Sequence, residues 1–196
     1  MIQIFNKELF NRVVSILVFV PLAIYPILFS NFMSVIVYLI FNAIIISEII
    51  AMKSKVEKSY IIYLSLFIAI FAFLLFLLLL ISDELMKFKL IEIILIIWMF
   101  DTFSFLGGKI IGGKKLMPTI SSGKTISGLI VGVLAPILIL ELIKANYLNL
   151  PIGSVLFTIT IIFLAFMGDL FASILKRTAS IKDSGSIMPG HGGLLD

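Results

Sequence analysis

The sequence predicts an all-α protein, a polytopic membrane helix bundle of about six transmembrane helices with a cytoplasmic N terminus. The first observation is composition: of 196 residues, 61% are apolar and 13% are charged, against roughly 45–50% and 25% in soluble domains. The second is that the apolar residues form six long stretches, each close to the length of about 20 residues that a bilayer requires. The third is the distribution of basic residues. Together they exclude an ordinary soluble domain and predict a single integral membrane domain over residues 1–196.

The six apolar stretches predict six spanning helices in chain order. Pro21 and Pro26 lie within the first stretch and Pro136 within the fifth, where we expect kinks of the kind that membrane helices tolerate. The first stretch is too long for the apolar region of a secretory signal and lacks an A-x-A-like cleavage site, so it is interpreted as a spanning helix. The predicted spans are 13–30, 32–52, 61–82, 90–107, 126–143 and 152–175.

Basic residues lie mainly on one side of the predicted membrane. Counted on alternate sides of the spans, twelve lysines and arginines fall on the side of the N terminus and only Lys87, Lys89 and Lys144 on the other. Because cytoplasmic loops are rich in lysine and arginine, the N terminus, the loop 107–125 and the C-terminal segment are predicted to face the cytoplasm. The net charge of +4 is therefore attributed to topology and not to nucleic-acid binding. We predict a multi-pass protein of the cell (inner) membrane with a cytoplasmic active face.

The inventory of side chains limits the chemistry. The sequence has no cysteine and one histidine, His191, which excludes disulfides, thiolate nucleophiles and cysteine-ligated zinc. A metal site would have to consist mainly of carboxylates. Carboxylate oxygens suit Mg²⁺ or another hard cation better than zinc.

Five acidic residues lie within or at the edges of the predicted spans, where charge is costly and a function is the default interpretation. Glu48, Glu92 and Glu141 lie near helix ends, so we expect their side chains to reach the membrane interface. Asp101 and Asp169 lie toward the predicted cytoplasmic ends of their helices, and each is followed by a polar segment that carries lysine. Two carboxylates beside lysines predict a site for Mg²⁺ and a polyphosphate.

Three polar residues near the end of the sixth stretch form a column. Ser173 and Lys176 come four and seven residues after Asp169, so all three project from one face of a helix. The alternative is an ion pair that only anchors the helix end. We favour a functional column because a further polar motif follows it.

The C-terminal residues are rich in glycine around the single histidine. Residues 182–185 read Lys-Asp-Ser-Gly, and residues 189–196 read Pro-Gly-His-Gly-Gly-Leu-Leu-Asp. The glycines permit positive φ angles and a close approach of backbone N–H groups to an anion, as in phosphate-binding concavities. His191 has no apolar core around it in this run, so we predict that it binds a ligand, contacts substrate or orders the site.

The loop 107–125 carries glycines, lysines and the run Gly123-Lys124-Thr125. It is not a Walker A motif, because Pro118 stands where that motif requires glycine and a membrane helix precedes it. We interpret it as a flexible basic cytoplasmic loop that folds over a nucleotide or lipid phosphate. A solvated loop attracted to anionic headgroups is an equal alternative.

Two stretches of the second half resemble one enzyme family. Residues 173–177 read Ser-Ile-Leu-Lys-Arg and are followed, at fixed spacing, by the runs 182–185 and 189–196. This long pattern is similar to the signature of the phosphatidate cytidylyltransferases, also called CDP-diglyceride synthases. The stretch from Asp101 to Gly128 also resembles the cytoplasmic loop of that family. The resemblance covers residues 91–196 as a catalytic-type half, and residues 1–90 fit only as generic N-terminal membrane helices.

The resemblance implies transfer of a cytidylyl group from CTP to phosphatidic acid, which gives CDP-diacylglycerol and pyrophosphate in phospholipid biosynthesis and requires Mg²⁺. With the residue patterns above, it predicts catalytic roles for Asp169, Lys176, Asp183 and His191. It predicts substrate binding by Asp101, Lys124, Thr125, Ser173, Arg177 and Lys182. It predicts metal binding by Asp169 and Asp196. The expected partners are CTP, phosphatidic acid and membrane lipids, no nucleic acid, and a second copy of the chain as a candidate homodimer.

Alternatives remain open at this point. The family signature continues past the aspartate with Arg, a hydrophobic residue, a second Asp and at least one further apolar helix, whereas the sequence stops at Asp196. We therefore expect a chain that is truncated and incomplete at the C terminus, with a catalytically inactive relative as one alternative. Another is a small membrane transporter or lipid-binding scaffold in which Asp101 and Asp169 form an ion or proton path. The CDP-alcohol phosphotransferases are a rival enzyme class, but their dense aspartate motif is missing.

Overall fold

The computed structural model describes residues 2–56, 59–146, 152–188 and 192–195. Within them the chain is mainly helical, which confirms the predicted all-α, polytopic class. The elements are α1 (Ile2–Phe29), α2 (Asn31–Met52), a 3₁₀ turn (Lys53–Lys55), α3 (Ser59–Ser82), α4 (Glu84–Ile110), β1 (Lys115–Met117), β2 (Ser121–Thr125), α5 (Ile126–Asn146) and α6 (Val155–Thr178).

The long helices follow the predicted spans closely. In the described part of the chain, five helices, α2 to α6, are long and apolar enough to cross a membrane, and α1 contains the shorter apolar run Leu17–Phe29. The largest differences are at two helix starts: α1 begins at Ile2, eleven residues before the predicted start, and α4 begins at Glu84, six residues before it. Glu84 and Lys87 form an ion pair of 2.5 Å within this extra turn. A polar turn of this kind is helical without being apolar, so a hydropathy pattern does not detect it.

The chain groups into two compact units. The first contains Met1–Asp83 and Ile174–Asp196, and thus α1, α2, α3, the end of α6 and the C-terminal segment. Two side chains bond its helices to one another: Asn42 Nδ2 of α2 donates to the Ala69 carbonyl of α3 at 2.9 Å, and the Tyr38 hydroxyl to the Ala23 carbonyl of α1 at 3.3 Å. Its buried core is formed by Ile49, Met52, Val56, Ile62, Leu175 and Ala179.

The second unit, Glu84–Ser173, contains α4, the two strands, α5 and most of α6. Its helices α4 and α5 approach closely through glycines. A Cβ atom at Gly107 would lie 2.7 Å from Val131 Cβ, and one at Gly128 would lie 2.5 Å from the Ser104 carbonyl. Small residues permit this approach of two backbones in membrane helices. The buried core of the unit is formed by Ile96, Phe100, Leu140 and Ile162.

We expect Gly132→Ala to destabilise the protein by about 1–3 kcal/mol, the usual effect of overpacking. The added methyl group would overlap Ser104 Oγ and lie 3.0 Å from the Phe100 carbonyl. Thermal unfolding in detergent measures the effect. The double variant with Ser104→Ala should recover part of the loss, because it removes the hydroxyl. A Gly132→Ala protein as stable as the wild type would contradict the tight α4–α5 contact.

The loop 107–125 is more ordered than predicted. Residues 115–125 form an antiparallel hairpin in which Lys115 pairs with Thr125 and Met117 with Ser121. The Ile120 N–H donates to the Met117 carbonyl at 3.3 Å, which closes a β-turn with Pro118 at its second position, where proline is favoured. The expectation of a flexible loop is therefore wrong for this stretch.

Candidate active site

In the second unit, the structure brings together two predicted site residues that are far apart in the sequence. Lys124 of β2 and Asp169 of α6 form an ion pair through Nζ and Oδ2. Lys124 Nζ also lies 5.2 Å from the centroid of the Phe166 ring, one turn before Asp169. The hairpin thus carries an ammonium group onto the face of α6 that bears the carboxylate.

The two charged groups of this pair differ in accessibility. The side chains of Lys124 and Asp169 are 25% and 42% exposed, but the Lys124 Nζ atom itself is buried. A hard cation can approach the carboxylate, whereas a phosphate oxygen reaches the ammonium group only when the lysine side chain moves. The pair therefore combines a carboxylate that suits a hard cation with an ammonium group that suits a phosphate.

The donor set near Asp169 fits a Mg²⁺ ion that is shared with substrate phosphates. Such an ion is usually held by one or two carboxylates together with phosphate oxygens, and Asp169 supplies an accessible carboxylate. Across residues 2–56, 59–146, 152–188 and 192–195, no group of three or more His, Asp or Glu side chains could hold a metal by itself. Asp196, the second predicted metal ligand, lies outside the described residues.

Thr125 has a local structural role. It is buried, and its Oγ1 accepts a hydrogen bond of 3.0 Å from the Gly128 N–H, which is the geometry of a helix N-cap. Its hydroxyl also pairs with Ser127 Oγ at 3.0 Å, and Ser127 donates to the Gly112 carbonyl. Thr125 therefore fixes the start of α5 directly after Lys124, and its predicted contact with substrate stays a prediction.

Asp101 is exposed on α4. It lies nine residues before Ile110, the last residue of its helix, and Asp169 lies nine residues before Thr178, the last residue of α6. At 1.5 Å per residue, each carboxylate is about 14 Å along the axis from the end of its helix. The two predicted acidic positions therefore occupy equivalent places on their helices.

The polar column lies within α6, as predicted, and the helix ends just after it. Ser173 is buried, Lys176 is half-buried and Arg177 is exposed. Ser180 has φ of +57°, its N–H donates to the Arg177 carbonyl, and the Ile181 N–H donates to the Lys176 carbonyl, both at 3.0 Å. This is a Schellman motif, which reverses the chain after a helix.

The Schellman motif positions the next basic residue of the first unit. Arg177 Nη1 donates to the Ile181 carbonyl at 3.0 Å, so the guanidinium group spans the reversal. Lys182 and Asp183 follow at once, and both are exposed. The predicted basic positions at the end of α6 and after it are thus held by a defined turn.

The C-terminal segment is closed by a short backbone pairing. Met188 and Gly192 exchange hydrogen bonds of 2.8 and 2.9 Å between their N–H and carbonyl groups. Gly192 has φ of +115°, a conformation that favours glycine, as the sequence predicted for this run. His191, predicted to act in the site, lies outside the described residues.

The same segment is anchored on a carboxylate that sequence reasoning did not place in the site. Glu48 of α2 is 7% exposed. Its Oε2 accepts hydrogen bonds from Ser184 Oγ at 2.7 Å and from the Leu195 N–H at 3.0 Å, and its Oε1 accepts one from the Leu194 N–H at 3.0 Å. One side chain of the second helix thus holds both ends of the C-terminal motif.

Two glycines of the motif make room for this carboxylate. A Cβ atom at Gly185 would lie 2.7 Å from Glu48 Oε1. A Cβ atom at Gly193 would overlap Ser184 Oγ and lie 2.5 and 2.6 Å from the two oxygens of Glu48. The Cβ side of Gly193 therefore faces Glu48, and the predicted binding of an anion by backbone N–H groups of this run stays a prediction.

Two of the three glutamates expected to reach the membrane interface are buried instead, and for Glu141 the expectation stays a prediction. Glu141 is partly exposed and lies 3.7 Å from Lys144. Glu92 is buried, and it accepts from Lys89 Nζ and from the Gly153 N–H, both at 2.7 Å. Glu48 and Glu92 thus accept hydrogen bonds inside the protein. Their positions near helix ends had predicted side chains at the membrane interface instead.

Comparisons with known proteins give the relationship of the chain. Residues 5–196 match the model of the cytidylyltransferase family. Proteins named phosphatidate cytidylyltransferase from Rickettsia bellii (strain RML369-C) and Rickettsia felis are 35% and 34% identical, over 97% of this chain and 85% and 86% of theirs. One of the same name from Staphylococcus epidermidis is 42% identical over 52% of this chain and 40% of its own. The predicted resemblance is confirmed, and the chain belongs to the cytidylyltransferase family.

Proposed function

We propose that this protein transfers a cytidylyl group from CTP to phosphatidic acid, giving CDP-diacylglycerol and pyrophosphate in phospholipid biosynthesis. The observation that carries the proposal is the family match over residues 5–196, together with relatives named phosphatidate cytidylyltransferase that align with nearly the whole chain. The protein is accordingly a nucleotidyltransferase. The ion pair of Lys124 and Asp169 supports this activity, because it places a carboxylate that suits a hard cation beside an ammonium group that suits a phosphate.

The reaction sets the tasks of the side chains. A phosphate oxygen of phosphatidic acid attacks the α-phosphorus of CTP, a new P–O bond forms, and the bond from the α-phosphorus to the bridging oxygen breaks as pyrophosphate leaves. Negative charge grows on the equatorial and leaving oxygens, so cations that face them lower the barrier. When bound, Mg²⁺ would be held by Asp169 and would supply Lewis-acid stabilisation of that charge.

The predicted site residues of each unit suit these tasks and are described unit by unit. In the second unit, we propose that Lys124 contacts a phosphate group, with Asp101 as a further polar contact. In the first unit, we propose that Lys176, Arg177 and Lys182 contact phosphates. Ser173, Asp183 and His191 keep the roles in substrate binding and catalysis that the motif predicts.

A membrane location suits the two substrates. One is a lipid and the other is water-soluble, and the apolar helices α2 to α6 are long enough to span a bilayer. The excess of lysine and arginine on alternate loops supports a cytoplasmic active face in the cell membrane. Membrane lipids and a second copy of the chain remain proposed partners.

The first test is the activity of the chain itself. We expect purified protein in detergent or liposomes to form CDP-diacylglycerol and pyrophosphate from phosphatidate, in a reaction that depends on both CTP and Mg²⁺. Diacylglycerol in place of phosphatidate is the matched control, because it lacks the attacking phosphate. A folded protein without activity would contradict the proposal and favour an inactive relative, a transporter or a scaffold.

A further inference from the structure

The carboxylate of Glu48 accepts hydrogen bonds from three donors, and among the described residues it has no ion-pair partner. It is buried on α2, and it accepts from one hydroxyl and two backbone N–H groups. Among the residues that the structure describes, no lysine or arginine forms an ion pair with it. Burying a carboxylate costs free energy unless its oxygens accept hydrogen bonds. These three hydrogen bonds offset that cost.

The three donors come from two stretches that flank the glycine-rich run 189–193 in the sequence. Ser184 precedes the pairing of Met188 with Gly192, and Leu194 and Leu195 follow it. One carboxylate of α2 therefore holds the described residues on both sides of that run. Apart from that pairing, the segment forms no helix or strand over 181–188 and 192–195, and its other described support is the packing of Ile181 and Leu195 against the core of the first unit and the hydrogen bonds of Ile181 at the end of α6.

The anchored stretch carries side chains that the proposed function uses. Asp183 is the residue directly before Ser184, and Lys182 precedes it; both are exposed. Their side chains point to solvent while the neighbouring hydroxyl is bound to a buried acceptor. A shift of the anchor therefore displaces the exposed charges by about the same distance.

We propose that Glu48 is a positioning residue for the cytidylyl transfer. The proposal rests on the proposed function and deepens it: Glu48 touches no substrate, and it acts by holding Lys182 and Asp183 in place through Ser184, Leu194 and Leu195. Misplacement of catalytic groups by about 1 Å costs up to about 100-fold in rate. Glu48 also fills the position that an anion would occupy among these N–H and hydroxyl donors, so substrate phosphates bind elsewhere.

The test is Glu48→Gln, which keeps shape and removes the charge and one acceptor oxygen. Whichever way the amide is turned, its NH₂ group faces at least one of the donors that Glu48 accepts from. We expect kcat per folded molecule to fall about 10- to 30-fold, measured well below the melting temperature. We also expect faster hydrogen exchange in peptides that contain Leu194 and Leu195.

Glu92→Gln is the matched control. It too removes a buried carboxylate that accepts a backbone N–H, from Gly153, but it does not touch the C-terminal segment. We expect it to lower the melting temperature and to leave kcat per folded molecule within about twofold. A purely structural Glu48 would behave in the same way, and that result would overturn the proposal.

A second variant keeps the test decisive if Glu48→Gln folds poorly. Ser184→Ala removes one donor and leaves the carboxylate, and we expect a smaller loss of kcat, about three- to fivefold. In the double variant its additional effect should nearly vanish, because the two residues act as a unit. If the wild type is active and both single variants keep its kcat, the proposal for Glu48 is overturned and the proposed function is not. An inactive wild type would contradict the proposed function itself.

Discussion

Asp169→Asn is expected to lower CDP-diacylglycerol formation at least about 100-fold and to leave the protein folded. Asparagine has the same shape as aspartate, so packing in α6 is preserved. The neutral amide can neither pair with Lys124 nor serve as an anionic ligand for a hard cation. Loss of charge stabilisation where phosphoryl charge develops is among the largest single effects in catalysis.

The rate is measured with saturating CTP, phosphatidate and Mg²⁺. A second measurement is independent of turnover: Mg²⁺ and CTP together should raise the melting temperature of the wild type and not that of Asp169→Asn. Glu141→Gln is the matched control, since Glu141 is a partly exposed carboxylate that also lies beside a lysine. An Asp169→Asn enzyme with more than about a third of the wild-type rate would remove Asp169 from the proposed site.

Lys124→Met is expected to reduce kcat/KM by about 100-fold. Methionine preserves most of the length of the side chain and can still pack on the ring of Phe166, but it presents no positive charge to a phosphate. We expect the loss to appear in kcat and in the KM for CTP together, because a cation near the phosphates contributes to ground-state and transition-state binding. Steady-state kinetics with varied CTP measure both.

The exchanged pair, Lys124→Asp with Asp169→Lys, separates a structural from a functional ion pair. The double variant restores opposite charges at the two positions, so it should recover most of any stability that either single change removes. It should not recover activity, because the charges presented to the nucleotide are reversed. Recovery of both stability and activity would mean that the pair only joins β2 to α6.

The membrane helices and the polar column of α6 follow from local patterns, so they could be predicted from the sequence. Apolar length predicts the spans, and helical spacing places Asp169, Ser173 and Lys176 on one helix. The hairpin also had a local signal: Pro118 favours the turn, and Thr125, directly before an apolar run, is a preferred N-cap residue. The many glycines and lysines of the loop outweighed these signals.

The partners of Glu48 could not be predicted in this way. Ser184, Leu194 and Leu195 lie 136 to 147 residues beyond it, and no periodicity joins positions so far apart. The default interpretation of an intramembrane carboxylate as functional was the usable signal. Because Glu48 lies only five residues before Lys53, near the end of α2, a side chain that reaches the membrane interface was the simpler interpretation.

The distance in sequence between Glu48 and its donors sets an order of events during synthesis. The ribosome adds the farthest donor, Leu195, 147 residues after the carboxylate, which at about 5–20 residues per second corresponds to roughly 7–30 s. During that interval α2 already exists with a carboxylate that lacks the hydrogen bonds it has in the finished protein. The C-terminal motif and the second helix therefore complete each other only after Leu195 has been synthesised, so the enzyme becomes competent long after α2 has been made.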